Sequence, residues 1–535
     1  MWKRFMVVFA AMSITFSYLY MRIYNIAVDD EYRKAAVSQG RYVLTVGKTY
    51  GNIYDRNMNL LNNNSYKYIA AVNPTTEGIT HVIKYACDKK VVSKEAYSGL
   101  PFVCEVSEDC TDTSDVKMFK VTERNPDNQL AVHLIGYTRD NTGVSGIEYA
   151  YDYILRNECS IEKAVFEITA TGGVLDGAGI SSECSEVGRY AVITTIDKDI
   201  QQICENAGKN IEQGAIVVIT TDGEIIAMAS FPTFDLNNLE ASLDDESKPF
   251  INRALLPYNV GSIFKLVTAA SAIEQGIDTA TVFECKGYTD VNGKIFRCHN
   301  LSGHGELSMA EAMKESCNTY FINLSKEIDG NFFVDTAKKL GFGEKIYLAN
   351  GITSSQGNIQ SYNDMLLPAE KANMSFGQGK LTATPVQIAR MTAAIANGGV
   401  LPELNVIMAM VENESISYTS KQSPETVMSF DTSFELRKFM EYSVNNDVSN
   451  AKPFNTTAAG KTSTAQTGIY DESGNEILQA WFTGYFPAEK PEYIVTVFVE
   501  NGKSGNTSAA PVFKEIAENI TALEKEKTAE RIYDK

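Results

Sequence analysis

The first 28 residues constrain everything that follows them. MWKR precedes an apolar run, FMVVFAAMSITFSYLYM, then Arg22 and a second short run, IYNIAV. Phe5 to Val28 is long enough to span a bilayer provided Arg22 snorkels toward the far interface. Lys3 and Arg4 ahead of the run favour a cytoplasmic N-terminus. A cleaved signal peptide is the competing reading, but no small-x-small cleavage site follows. A retained anchor is expected, with residues 1–4 as a cytoplasmic tail and 5–28 as a single transmembrane helix. All later residues would then lie outside the cytoplasmic membrane.

The chain has 535 residues, enough for two to four domains with at least one large core. Its formal charge of −19 argues against nucleic acid as a partner, since phosphate binding needs a basic face. Twenty-seven Tyr and 25 Phe against 14 Pro exclude a disordered chain. Nine cysteines and four histidines form no metal pattern along the chain, and no cysteine stands in a CxxC pair. An odd number cannot all pair internally, so at least one thiol is free or intermolecular. Cys285 and Cys298 flank a turn, and their spacing permits a cross-hairpin disulfide without requiring one.

From 29 to 190 the pattern is mixed. Short strand-like runs such as RYVLTV and AVITTI alternate with Gly/Asn/Asp turns. After 190 it sharpens. Thr195 or Asp197 caps a helical stretch, and GAIVVITTDGEIIAMAS reads as a hairpin turning at Thr-Asp-Gly. Ile263 to Ile273 reads as a buried helix. LSMAEAMKESCNTYFINLSKEI is a second helical region, and AWFTGYF and EYIVTVFVE read as adjacent strands before a C-terminal amphipathic helix. Segregated strands and helices predict an α+β fold, an antiparallel sheet with helices packed on it.

Three short motifs carry chemistry. In NVGSIFKLVTAA, Ser262 and Lys265 are three apart, so on a helix the amine reaches the hydroxyl. A serine needs such a base to become a nucleophile, and burial can lower a lysine pKa far enough. In KESCNTYF, Ser316 can relay protons and Asn318 can hold an amide, although a Ser/Asn helix cap has the same look. In AGKTSTAQTG, an extended strand puts Lys461 and Ser463 on one face and Thr462 on the other. A glycine-rich turn is the bland alternative there. Taken together and in this order, SxxK, SxN and K-T-[G/S] are the signature of serine transpeptidases and β-lactam-binding enzymes.

With these motifs in place, the chain resembles the class B penicillin-binding proteins, most of all their division and sporulation branch. YGNIYDRNMNLL, AVHLIGYT with GVSGIEYAYD, INRALLPYNVGSIFK, HGELSMAEAMKESCNTYF, MSFGQGKLTATPVQIA and AWFTGYFP all match segments of that family. The resemblance implies an elongated pedestal, of the kind that dimerises, over 29–190. It implies a penicillin-binding transpeptidase domain over 191–535. The implied reaction crosslinks peptidoglycan stem peptides ending in D-Ala-D-Ala, with Ser262 forming the acyl-enzyme and Lys265 the general base. Ser316 and Lys461 would move protons, and Asn318 would orient the donor peptide. Thr462, Ser463 and Thr464 would line the substrate strand, and backbone N–H groups of Ser262 and Thr464 would form the oxyanion hole. β-Lactams would acylate the same serine. No metal or organic cofactor is implied. A separate glycan polymerase is the implied partner, since 29–190 does not resemble a glycosyltransferase.

Two positions depart from the family pattern. Val260 stands where proline is usual and Ser463 where glycine is usual. From strand periodicity, Ser463 is expected to crowd the ligand and slow β-lactam acylation. Two other readings are a weakened scaffold or β-lactam sensor, and a hydrolase of the D,D-carboxypeptidase or β-lactamase type. His299 and His304 are expected to cap or pack the loop before the second motif.

Overall fold

Trp2–Val28 is one continuous helix of 27 residues, long and apolar enough to cross a membrane. At 1.5 Å per residue it extends about 40 Å, more than a bilayer's apolar thickness. The structure, a computed structural model, describes all residues except 29–33, 35–38, 126–128, 237, 421–422, 446–448 and 534–535. The expected start of the pedestal at 29 lies outside the described residues.

Two compact units emerge. The first comprises 1–50, 63–124 and 158–188; the second comprises 51–62, 125–157 and 189–535. The chain therefore passes between them several times rather than crossing once near 190. In the first unit, Arg41–Tyr50, Glu158–Glu167 and Ile180–Glu186 form an antiparallel sheet. A second sheet has Ser65–Val72 between Phe102–Val106 and Val116–Glu123. Alternation sorts its residues. Ala70 and Val72 join one apolar cluster with Val82, Val92 and Phe102. Ile69 and Ala71 join another with Val46, Phe119 and Phe166.

The second unit is built on a five-stranded antiparallel sheet. Its order is Ile225–Phe231, Gly214–Thr220, Tyr493–Glu500, Glu476–Phe486, Ala459–Tyr470. Gly214–Thr220 is apolar at nearly every position because both faces are covered. Ile216 and Val218 pack with Ile200, Phe513 and Ile516 of the helices Lys198–Ala207 and Ala510–Tyr533. Ala215, Val217 and Ile219 join the opposite core, with Leu266, Ile388 and Met391 of the helices Lys265–Glu274 and Pro385–Ala396. The α+β class read from the sequence is the one observed. Ala459–Tyr470 is one of the two edge strands, so one side of its backbone is unpaired with any described strand.

The segment 51–62 belongs to this unit through backbone pairing. Asn52–Tyr54 runs parallel to Tyr190–Thr194, which pairs antiparallel with Ile407–Glu412. Asp55, fully buried, accepts from the backbone N–H of Asn57, Asn59 and Lys198 at 2.8, 2.7 and 3.1 Å, and from Asn59 Nδ2 at 3.0 Å. It thereby fastens the segment to the start of Lys198–Ala207, whose cap is Asp197. Asp55→Ala leaves four donors without their acceptor and is expected to destabilise the unit by about 3 kcal/mol. Chemical denaturation checks this against Glu414→Ala on the surface, expected to stay within about 0.5 kcal/mol.

Candidate active site

Ser262 sits in a tight 3-10 turn, Gly261–Phe264, that runs into the helix Lys265–Glu274. Three contacts pin the residues just before it. Trp481 Nε1 donates to the Asn259 carbonyl at 2.9 Å. Ser463 Oγ donates to the Val260 carbonyl at 2.8 Å. Gly261 N–H donates to the Gly377 carbonyl at 2.9 Å. Gly261 has φ +61, and a Cβ there would lie 2.4 Å from Ser463 Oγ, so only glycine suits the turn. Each contact removes a way for Ser262 to move.

The helix turn expected from the i, i+3 spacing brings Lys265 Nζ to 3.0 Å from Ser262 Oγ. The same amine lies 2.5 Å from the Ser316 carbonyl, 3.2 Å from Ser316 Oγ and 2.7 Å from Asn318 Oδ1. The second helical region is broken to make this possible. Met309–Lys314 ends, Ser316 takes φ +51, and Asn318–Glu327 starts anew behind Cys317. Lys265 is fully buried, and its pKa is held well below the usual lysine value, first by burial and then by the charge of Lys461. A neutral amine has two N–H donors and one lone pair. The two obligate acceptors, the Ser316 carbonyl and Asn318 Oδ1, take the donors. The lone pair is then left for a hydroxyl proton.

Lys461 Nζ donates to Ser316 Oγ at 3.0 Å and to the Thr462 carbonyl at 3.2 Å. Burial lowers its pKa to about 8. Ser316 Oγ thus bridges the two lysines. On the same strand Thr462 is half-buried and Thr464 exposed, with Thr464 Oγ1 accepting from Gly505 N–H at 3.1 Å. All three motifs therefore meet, with Lys265 bonded to the first two and Lys461 joined to the second.

The penicillin-binding protein transpeptidase domain model matches residues 213–518. Stage V sporulation protein D of Bacillus subtilis (strain 168) is 30% identical over 475 residues, 83% of this chain and 71% of that protein. The chain belongs to the class B penicillin-binding proteins, the peptidoglycan D,D-transpeptidases. Peptidoglycan D,D-transpeptidase MrdA of Haemophilus influenzae is 26% identical over 419 residues, 70% of this chain and 62% of that protein. The solved penicillin-binding protein PBP2 from Helicobacter pylori shares the fold with a TM-score of 0.68 at 22% identity, over 90% of this chain and 99% of that one.

Within this transpeptidase, one expectation needs correction. Ser463 does not present its hydroxyl to the ligand. The side chain shares the buried face with Lys461, but that face at 463 is closed by Val260 and Gly261 ahead of Ser262, and the hydroxyl is committed to Val260. The two departures from the family pattern are therefore bonded to each other. Cys285 and Cys298 do not form a disulfide; all nine thiols are free. Nor are the cysteines scattered: Cys285, Cys298, His304 and Cys317 converge. That grouping was hidden because its donors come from separate hairpins and a helix break. Trp481 and Gly377 have no chemical groups that suggest a catalytic role, yet they position the serine.

Ser463→Gly leaves the Val260 carbonyl without its buried donor and loosens the turn. The expected result is a stability loss of about 1–2 kcal/mol with slower turnover at unchanged pH optimum. Denaturation together with a crosslinking assay measures both, and a faster variant would restore the crowding explanation.

Proposed function

We propose that this transpeptidase works through an acyl-enzyme on Ser262. The observation that carries the reading is the Lys265 amine, buried and hydrogen-bonded to both Ser262 and the second motif. Lys265 Nζ takes the Ser262 proton as Oγ bonds to the carbonyl carbon of a penultimate D-Ala. Backbone N–H groups of Ser262 and Thr464 stabilise the oxyanion. Collapse breaks the C–N bond, and the departing D-Ala amine takes its proton through Ser316, which Lys461 recharges. The amine of a second stem peptide attacks the ester and restores Ser262. Asn318, Thr462 and Thr464 hold the donor peptide, with Ser463 acting from behind through Val260.

A β-lactam offers the same carbonyl to the same serine. The helix Trp2–Val28 anchors the enzyme by a single pass with Lys3 and Arg4 on the cytoplasmic side, and the catalytic unit meets peptidoglycan outside. A separate polymerase supplies the glycan strands.

A fluorescent penicillin is expected to label the wild-type chain covalently, and Ser262→Ala to abolish the label. Ser316→Ala should slow labelling by about 10²-fold or more. Absence of a wild-type adduct would point to a scaffold, and rapid loss of the adduct to a hydrolase.

The pH dependence follows from the two lysines. Lys265 acts neutral, so the rate rises with pH through its lowered pKa. Lys461 acts charged, so the rate falls as pH passes about 8. The rate of labelling against pH checks the sign; a rate still climbing well above that point contradicts the assignment.

A further inference from the structure

The helix Phe430–Val444 buries one face and shows the other to solvent. Leu436, Phe439 and Met440 enter the core that also holds the helix behind Ser262. Its start is fastened to that helix: the Ser429 N–H and hydroxyl donate to Glu274 Oε1 at 2.8 and 2.7 Å. The outward face carries a row at every fourth position, Phe430, Phe434, Lys438 and Tyr442. Residues four apart are neighbours on a helix surface. Phe430 is 65% exposed, Phe434 49% and Tyr442 43%. At 1.5 Å per residue the row is about 18 Å long.

The rings are restrained although they are exposed. Phe430 and Phe434 lie nearly parallel, 15° apart, with centroids 6.3 Å apart. Lys438 Nζ stands 5.5 Å from the Phe434 centroid and is paired with Glu435 at 2.9 Å. Lys314 Nζ stands 5.2 Å from the Tyr442 centroid. A cation over an aromatic ring holds it by electrostatic attraction, and a ring already held loses less entropy when a ligand stacks on it. Lys314 also fixes where the row leads. It ends the helix Met309–Lys314, two residues before Ser316, so the Tyr442 end of the row adjoins the turn that bonds Lys265.

A protein partner asks for a different surface. Protein interfaces centre on a broad patch depleted in Lys, Glu and Asp. This row is one ring wide, with Asp431, Glu435 and Lys438 beside or between the rings. Single aromatic faces set among polar groups suit a chain of sugars. A pyranose presents C–H bonds on its faces, which meet the negative face of an aromatic ring, and carries its hydroxyl and amide groups on the edge. We propose that Phe430, Phe434 and Tyr442 dock a glycan strand that bears a stem peptide and lead it to the catalytic cleft. Continuity with the cleft selects this occupant. On the acyl-transfer reading of Ser262, on which this inference rests, the stem peptide enters beside Ser316 and Asn318. The glycan is covalently joined to that peptide, so it arrives where the row ends.

The test uses the full-length chain in detergent with two probes, chitohexaose and peptidoglycan strands stripped of their stem peptides. Calorimetry should detect binding of both by the wild type. Phe434→Ala and Tyr442→Ala should each weaken it about 5-fold, while Tyr418→Ala, at an exposed tyrosine of another strand, should leave it unchanged. Phe434→Ala should also keep the wild-type rate of labelling by fluorescent penicillin and of crosslinking free stem peptides. With glycan-borne stem peptides its KM should rise while kcat holds. A wild type that takes the penicillin label but binds neither probe would overturn the docking and leave the acyl-transfer reading intact. Probe binding without any label would uphold the docking and sink the acyl-transfer reading instead. Glycan binding that survives both substitutions would give the face to a protein partner and overturn the proposal. Equal losses with free and glycan-borne peptides would overturn it as well, because they report damage to the cleft.

Discussion

The active site depends on a lysine that cannot reach water. Lys265 is enclosed, so its charged form is disfavoured, and every hydrogen bond it makes must come from the protein. Four oxygen atoms answer that need, from Ser262, Ser316 and Asn318. Satisfying one buried amine therefore draws the first two motifs to within hydrogen-bonding distance. The third joins through Ser316, where Lys461 places a second cation close enough to help keep Lys265 neutral. The same burial that makes Lys265 costly to charge holds its pKa well below the usual lysine value.

The surrounding fold serves that enclosure. The sheet supplies a rigid edge strand, and the core between it and the Lys265–Glu274 helix excludes solvent. Trp481, Ser463 and Gly377 hold successive residues of the turn before Ser262 and so fix the backbone that carries its hydroxyl. The serine in place of glycine at 463 is best understood through Val260. Proline at 260 would restrict that backbone through its ring. With valine there, the Ser463 hydroxyl supplies a hydrogen-bonded restraint on the same residue.

Much of this was legible in the sequence. Apolar runs bounded by turn signals marked the hairpin at Gly214–Thr220 and Ile225–Phe231, the strand pair near the C-terminus and the helix behind Ser262, because elements covered on both sides leave few polar positions. The i, i+3 spacing sufficed to put Lys265 on Ser262. Other features were not legible, for physical reasons. Strand alternation correctly placed Ser463 with Lys461, but alternation cannot say that the nucleophile turn, rather than ligand, covers that face. The Cys285, Cys298, His304 and Cys317 cluster has no short-range spacing, since tertiary packing brings its members together. The break at Ser316 was masked by the good helix formers of Met309–Lys314 before it and by apolar residues at helical spacing after it.

The central claim is that the buried Lys265 amine is neutral while Lys461 carries a proton that it loses near neutrality's upper edge. Carbon-13 NMR of ε-labelled lysine resolves both side chains, with Lys265→Arg and Lys461→Arg for assignment. The account predicts that the Lys461 resonance titrates at about 8 and the Lys265 resonance well below the usual 10.5. Two resonances that both titrate at the usual lysine value would contradict it.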